Sequence, residues 1–254
     1  EVLRGPQGTL YGANALSGVV RVLTSDADVD KLEAKGRVRL STTRDGGENY
    51  EGDAAINVPL VEGRVAIRAV VGYAKLSGYI DSTLTGERNI NDTKAQNYRL
   101  KATFKATDDL TIKLGYIRSK LENGAPAYSF DDRTTSFSAD QPDERVLNSY
   151  NLIAEYSFDH VSLLSSTSYL DYKAANRPEI LLGGAFRLNY FARLGLKSFA
   201  HETRLASRLD GPWQWTAGAI YKHTRESQLQ NAAPILPFDY RVRDRSRSYA
   251  IFAE

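Results

Sequence analysis

The chain has 254 residues and a formal net charge of +2. That length suits one large β domain, and so small a charge excludes the strong basic field of a nucleic-acid binder. Cys is absent, which excludes a disulfide framework and thiolate chemistry. No stretch approaches the roughly 18 continuous apolar residues of a transmembrane helix, which leaves a membrane barrel open because its lipid face hides in alternation.

The chain begins with a short apolar strand, Val2 and Leu3, broken by Arg4-Gly5-Pro6. Gly8, Gly12 and Gly18 recur through a compact stretch that a regular helix does not tolerate. A second strand follows at 19–23, with Arg21 between valines. The glycines are not a phosphate cradle: no Gly-Lys-Ser/Thr ending follows, and no helical pattern opens after them.

This strand–turn–strand resembles the C-terminal end of the plug domain of TonB-dependent outer-membrane receptors. The family pattern is matched at Glu1, Val2, Leu3, Arg4, Gly5, Pro6, Leu10, Tyr11, Gly12, Ala15, Gly18, Val20, Val22 and Thr24. It departs at Ser17, where glycine is usual, and at Arg21, where asparagine is usual. The resemblance implies that Arg4 helps lock a plug against wall carboxylates, and that Gly5, Pro6, Gly12 and Gly18 shape the plug turn. It divides the chain into the end of a plug (1–24), a polar link (25–33) and the N-terminal part of a barrel (34–254). With no initiator Met and a start inside a motif, the chain reads as a piece of something longer.

From Ala34 the hydrophobic period is two, and it stays so to the end. The first strand, 34–43, sets Val38 and Leu40 against Lys35, Arg37 and Arg39; Asp45-Gly46-Gly47 turns the chain. The second, 49–60, sets Tyr50, Ala54, Ile56 and Val58 against Glu51, Asp53 and Asn57, and 61–63 is a tight turn. The third is 64–76. The fourth alternates most cleanly, with Tyr98, Leu100, Ala102 and Phe104 against Arg99, Lys101, Thr103 and Lys105. The fifth, 110–121, sets Leu110, Ile112, Leu114 and Tyr116 against Thr111, Lys113 and Gly115. Further strands are expected at 145–158, 161–172, 197–207 and 213–226, and a tenth from about Ser246.

Connections alternate short and long. The short ones are 61–63, 107–109, 159–160 and 208–212; the long ones are 77–96, 122–144, 173–196 and 227–243. An antiparallel meander with turns on one rim and loops on the other is the layout of an outer-membrane barrel. Strands of ten to fourteen residues exceed the usual five or six of globular sheets and suit a tilted span. The fold class is therefore all-β, an antiparallel up-and-down transmembrane barrel of which about ten strands are present. Plugged transporters of this kind have about 22 strands. Cations facing lipid would cost roughly 2–4 kcal/mol each near the midplane. That assigns Glu51, Asp53, Arg99, Lys101 and Lys113 to the lumen wall and gives their apolar neighbours to acyl chains.

No residues with the spacing of a metal site, a catalytic elbow or a carboxylate pair stand out, and His160, His201 and His223 are scattered. No cofactor and no enzymatic activity are expected. Phe186, Tyr190 and Phe191, in a long connection, are weak candidates for ligand contact at the mouth. The resemblance implies a receptor in the outer membrane of a Gram-negative bacterium. It would take up a scarce small ligand, with an iron–siderophore complex first and cobalamin or an oligosaccharide behind. Its implied partners are the bilayer and the inner-membrane TonB complex. A passive porin-like barrel and a soluble β-sandwich are the rivals.

Overall fold

The computed structural model describes residues 2–4, 18–20, 22–125, 129, 133–138, 140–182, 186–208, 213–231 and 239–253; at 2–4, 18–20, 180–182 and 186 it describes the backbone alone. The strands are β1 (Val2–Arg4), β2 (Gly18–Val20), β3 (Glu33–Thr42), β4 (Glu48–Val61), β5 (Val65–Leu76), β6 (Asp81–Ser82), β7 (Thr93–Lys105) and β8 (Leu110–Asn123). They continue as β9 (Thr134–Thr135), β10 (Asp143–Ser157), β11 (Val161–Asn176), β12 (Glu179–Leu182), β13 (Phe186–Asn189), β14 (Phe191–Ser207), β15 (Thr216–Asn231) and β16 (Asp239–Ala253). Ten of these form one sheet in the order β16-β15-β14-β11-β10-β8-β7-β5-β4-β3. Every neighbouring pair in it is antiparallel. The sheet is the ten-stranded meander that the alternation indicates.

The short connections fall at one rim. Arg64 N donates to Val61 O at 2.9 Å, with Gly63 at φ 71°, a conformation that costs glycine nothing. In the turn at 43–47 it is Asp45, φ 59°, that takes the left-handed conformation rather than either glycine, as aspartate tolerates.

Several strands run further toward the other rim than expected. β11 reaches Asn176, β14 begins at Phe191 and β15 ends at Asn231, so the expected connections 173–196 and 227–243 are largely strand. The backbone ladder continues past the apolar band, where both faces are polar and periodicity carries no signal. β15 in turn starts later than expected, at Thr216: Trp215 N donates to Ser207 Oγ at 2.9 Å, which closes the hairpin ahead of the strand.

Register gives each face its rows. Leu100, Tyr116, Tyr150, Tyr169 and Phe199 lie opposite one another across five strands on the apolar face. Tyr116 and Tyr150 have ring centroids 4.9 Å apart, and Tyr221 and Tyr249, one row lower, 5.0 Å apart. This is an aromatic girdle built from cross-strand pairs. Leu100 is 49% and Phe104 45% exposed, so no second layer of described residues covers this face. Among the described buried apolar residues only Ala66 belongs to the large sheet. A water-soluble sheet hides its apolar face against a second layer; this one leaves it open along its length.

Candidate functional site

The opposite, inner face carries the segment 22–32. Asn57, in β4, has no exposed surface. Its Oδ1 accepts the Asp28 amide at 2.9 Å, and its Nδ2 donates to Asp28 O at 2.8 Å and Lys31 O at 2.6 Å. Gly63 N donates to Val29 O at 3.0 Å. Ala27 and Val29 pack against Ala66 in a small dry cluster. The segment is thus fixed by backbone partners and by a little apolar burial, with the side-chain amide of Asn57 standing in for a missing strand neighbour.

Charge completes the attachment. Lys101 Nζ donates to Thr24 O at 2.8 Å and to Asp26 Oδ1 at 2.7 Å. Lys113 Nζ lies 3.5 Å from Asp26 Oδ2 and 3.1 Å from Glu155 Oε2. Burial pushes the Asp26 carboxyl up, but the hydrogen bond and charge of Lys101, with those of Lys113, outweigh it and hold Asp26 below the ordinary aspartate range. Beside it, Arg68 Nη1 reaches Glu33 Oε2 at 3.0 Å, and Lys35 pairs with the same carboxylate.

The five residues assigned to the lumen wall share this inner face. Arg37 pairs with Asp53 at 2.7 Å and Arg39 with Glu51 at 3.6 Å, each directly across β3 and β4. Lys101 and Lys113 converge on Asp26, whereas Glu51 and Asp53 are spent within the sheet. Arg99 has a buried Nε with no hydrogen-bond partner among the described residues. Of the plug-motif residues, Arg4 and Gly18 stand opposite each other in the β1–β2 ladder; Glu1, Gly5, Pro6, Tyr11 and Gly12 lie outside the described residues.

At the far rim three connections are tied together. β6 pairs in parallel with β9, and Ser82 Oγ donates to Phe137 O at 2.6 Å. Asn91 Oδ1 accepts the amides of Tyr79 and Ile80 at 2.8 and 2.9 Å. Glu179, 3% exposed, accepts from Ser138 N at 2.6 Å and pairs with Arg187 at 3.1 Å. Tyr190 joins β13 to β14, its amide on Pro178 O at 3.2 Å. Phe191 lies on the apolar face with the Arg193 guanidinium 4.4 Å over its ring, and of Phe186 only the backbone is described. His201 bonds Thr167 and Thr203 on the apolar face, and His223 contacts Arg225.

Sequence reading missed Asp26, one acid among several in a polar stretch, and gave Asn57 no role beyond lining the wall. The signal for Asn57 was there. An amide between Ile56 and Val58 is a poor strand former and needs a partner that the ladder does not supply.

No protein-family profile matches the chain. Solved structures do. The ferric-catecholate import receptor Fiu from E. coli K12, in its open form, superposes with a TM-score of 0.76 at 16% identity, over 99% of this chain and 46% of that one. The ferripyoverdine receptor of the outer membrane of Pseudomonas aeruginosa, bound to ferripyoverdine, gives 0.75 at 16% identity, over 99% and 38%. The copper transporter OprC gives 0.69 at 14% identity, over 99% and 38%. The chain shares the fold of TonB-dependent outer-membrane receptors, and its ten-stranded sheet corresponds to part of their barrel. It spans less than half of each receptor named here.

Proposed function

We propose that the chain is part of a TonB-dependent receptor of the Gram-negative outer membrane. It comprises the end of a plug at 1–24, a link at 25–33 and the first barrel strands from 34. The observation that carries this reading is the two-faced sheet. Its inner face fastens the segment 22–32 through Asn57, Lys101 and Lys113, while its other face presents bare Leu100 and Phe104. Ligand binds at the rim with the long connections. The TonB complex of the inner membrane pulls on the plug, and the pull reaches the wall through residues 22–32. No covalent chemistry is involved.

The attachment is graded in a way that suits a pull. The Asp26 ion pairs are half-exposed and salt-screened, so each yields easily. Asn57 is buried, so its bonds yield last. The plug end therefore detaches while the root of the link stays on the wall. Likeness to a ferripyoverdine receptor and a ferric-catecholate import receptor supports a ferric siderophore as cargo; cobalamin or an oligosaccharide is the alternative within the same reading. The test is uptake of radiolabelled iron–siderophore by cells that carry the full-length protein. Accumulation that stops when TonB is deleted supports the receptor; uptake that continues without TonB or proton-motive force identifies a passive barrel instead.

A further inference from the structure

Asp26 is held by two lysines that differ in what else they hold. Lys101 Nζ has Asp26 Oδ1 at 2.7 Å and the Thr24 carbonyl at 2.8 Å. Both belong to the attached segment, and no acid of the wall pairs with Lys101 among the described residues. Lys113 Nζ lies 3.5 Å from Asp26 Oδ2. It is closer to a wall residue, Glu155, with Oε2 at 3.1 Å and Oε1 at 3.3 Å.

Register explains this second pair. Lys113 stands opposite Ile153 across β8 and β10, so Glu155, two residues on, is its diagonal neighbour on the same face. The cation further along the row of Glu155, Arg204, is taken up by Glu202 at 2.5 Å. Glu155 is thus left to Lys113.

While the segment is docked, two carboxylates share one ammonium and repel each other, so Glu155 weakens the Asp26 contact. Once the segment leaves, Lys113 keeps a counterion where Lys101 has none. The departing acid then uncovers one bare, largely buried cation instead of two. We infer that Glu155 sets how readily the link parts from the wall: it competes with Asp26 for Lys113 and lowers the cost of releasing residues 24–28. The distances disfavour the opposite role, a prop that holds Lys113 against Asp26. A prop would leave Lys113 nearer to Asp26, and it is nearer to Glu155. That easier release serves uptake rests on the receptor reading; the competition itself does not.

The test is hydrogen exchange at residues 24–28 of the full-length protein in detergent, with heat-modifiable gel migration reporting insertion. Glu155→Gln should slow exchange there about two- to fivefold, the range of a half-exposed ion pair. Removing a wall charge that merely supported the segment would speed it. The slowing should vanish in about 1 M salt. It should vanish too in an Asp26→Asn background, which has no carboxylate to compete with. Exchange that is unchanged or faster in Glu155→Gln overturns the inference, as does a slowing that survives either salt or Asp26→Asn. Glu155→Thr makes the same test if the amide variant does not insert. Uptake that ignores TonB overturns the receptor reading and leaves the exchange result standing.

Discussion

Lys101 Nζ stands 2.7 Å from Asp26 Oδ1 across 75 residues of sequence. The lysine is largely buried and the aspartate half-exposed, so the contact is worth about 1 kcal/mol or less. Asp26→Asn and Lys101→Gln should each raise hydrogen exchange at residues 24–28 by a few-fold. In a double-mutant cycle the two should be non-additive, because they remove one shared contact. Additive effects would mean that the pair does not couple.

The same pair has a pH signature. Asp26 titrates below its ordinary value in the folded chain. Its contribution is therefore fully present above the ordinary aspartate range and is lost as pH falls through the depressed folded value. Exchange in residues 24–28 should stay flat from neutral pH down to the ordinary aspartate range, after correction for intrinsic rates, and rise below it. Asp26→Asn should abolish that rise.

Asn57→Ala deletes the acceptor for Asp28 N and the donor for two carbonyls in a site with no exposed surface. A buried unsatisfied amide costs about 1–3 kcal/mol. The Asp28 amide should lose roughly tenfold or more of its protection while the β4–β5 ladder keeps its own. Asn57→Asp, which keeps the acceptor and loses the donor, should fall short of wild type.

Leu100→Arg tests the direction of the faces. Facing acyl chains it should cost insertion free energy, up to about 2–4 kcal/mol at full membrane depth and less toward the interface, read as loss of heat-modifiable barrel in reconstitution. Lys105→Ala, on the opposite face of the same strand, should fold as wild type.

Gly78→Ala tests the tied rim. A Cβ there would meet the Asn89 carbonyl oxygen, and Asn91 Oδ1 at 2.7 Å. The Asn91 side chain that receives the Tyr79 and Ile80 amides must move. Protection should fall in 79–92 and, through the cluster of Ile80, Ile90 and Ala125, at 124–125 as well, at about 1–3 kcal/mol of local stability.

Where the sequence was legible, one face touched a different solvent from the other. Tyr98, Leu100 and Phe104 against Arg99, Lys101 and Lys105 spell out a strand and its direction without reference to any other segment. Past the girdle that contrast ends, and with it the signal: the outer thirds of β11 and β14 read as loop because Lys173 and Arg193 stand on the face that Tyr169 and Phe199 make apolar, while Ala174 and Leu194 take the other. The attachment of residues 22–32 was hidden for another reason. Asp26 and Asn57 act on partners tens of residues away, and each looks locally like an ordinary polar side chain. The parallel pairing of β6 with β9 joins four residues from two connections, too little pattern for any periodicity to reveal.

Because Ser82 leans on Phe137, and Ser138 in turn on Glu179, the rim segments cannot diversify one at a time. A lineage that alters one of them must repair its neighbours too. Substitutions at this mouth should therefore be inherited as sets, with Glu179 and its contacts changing together or not at all.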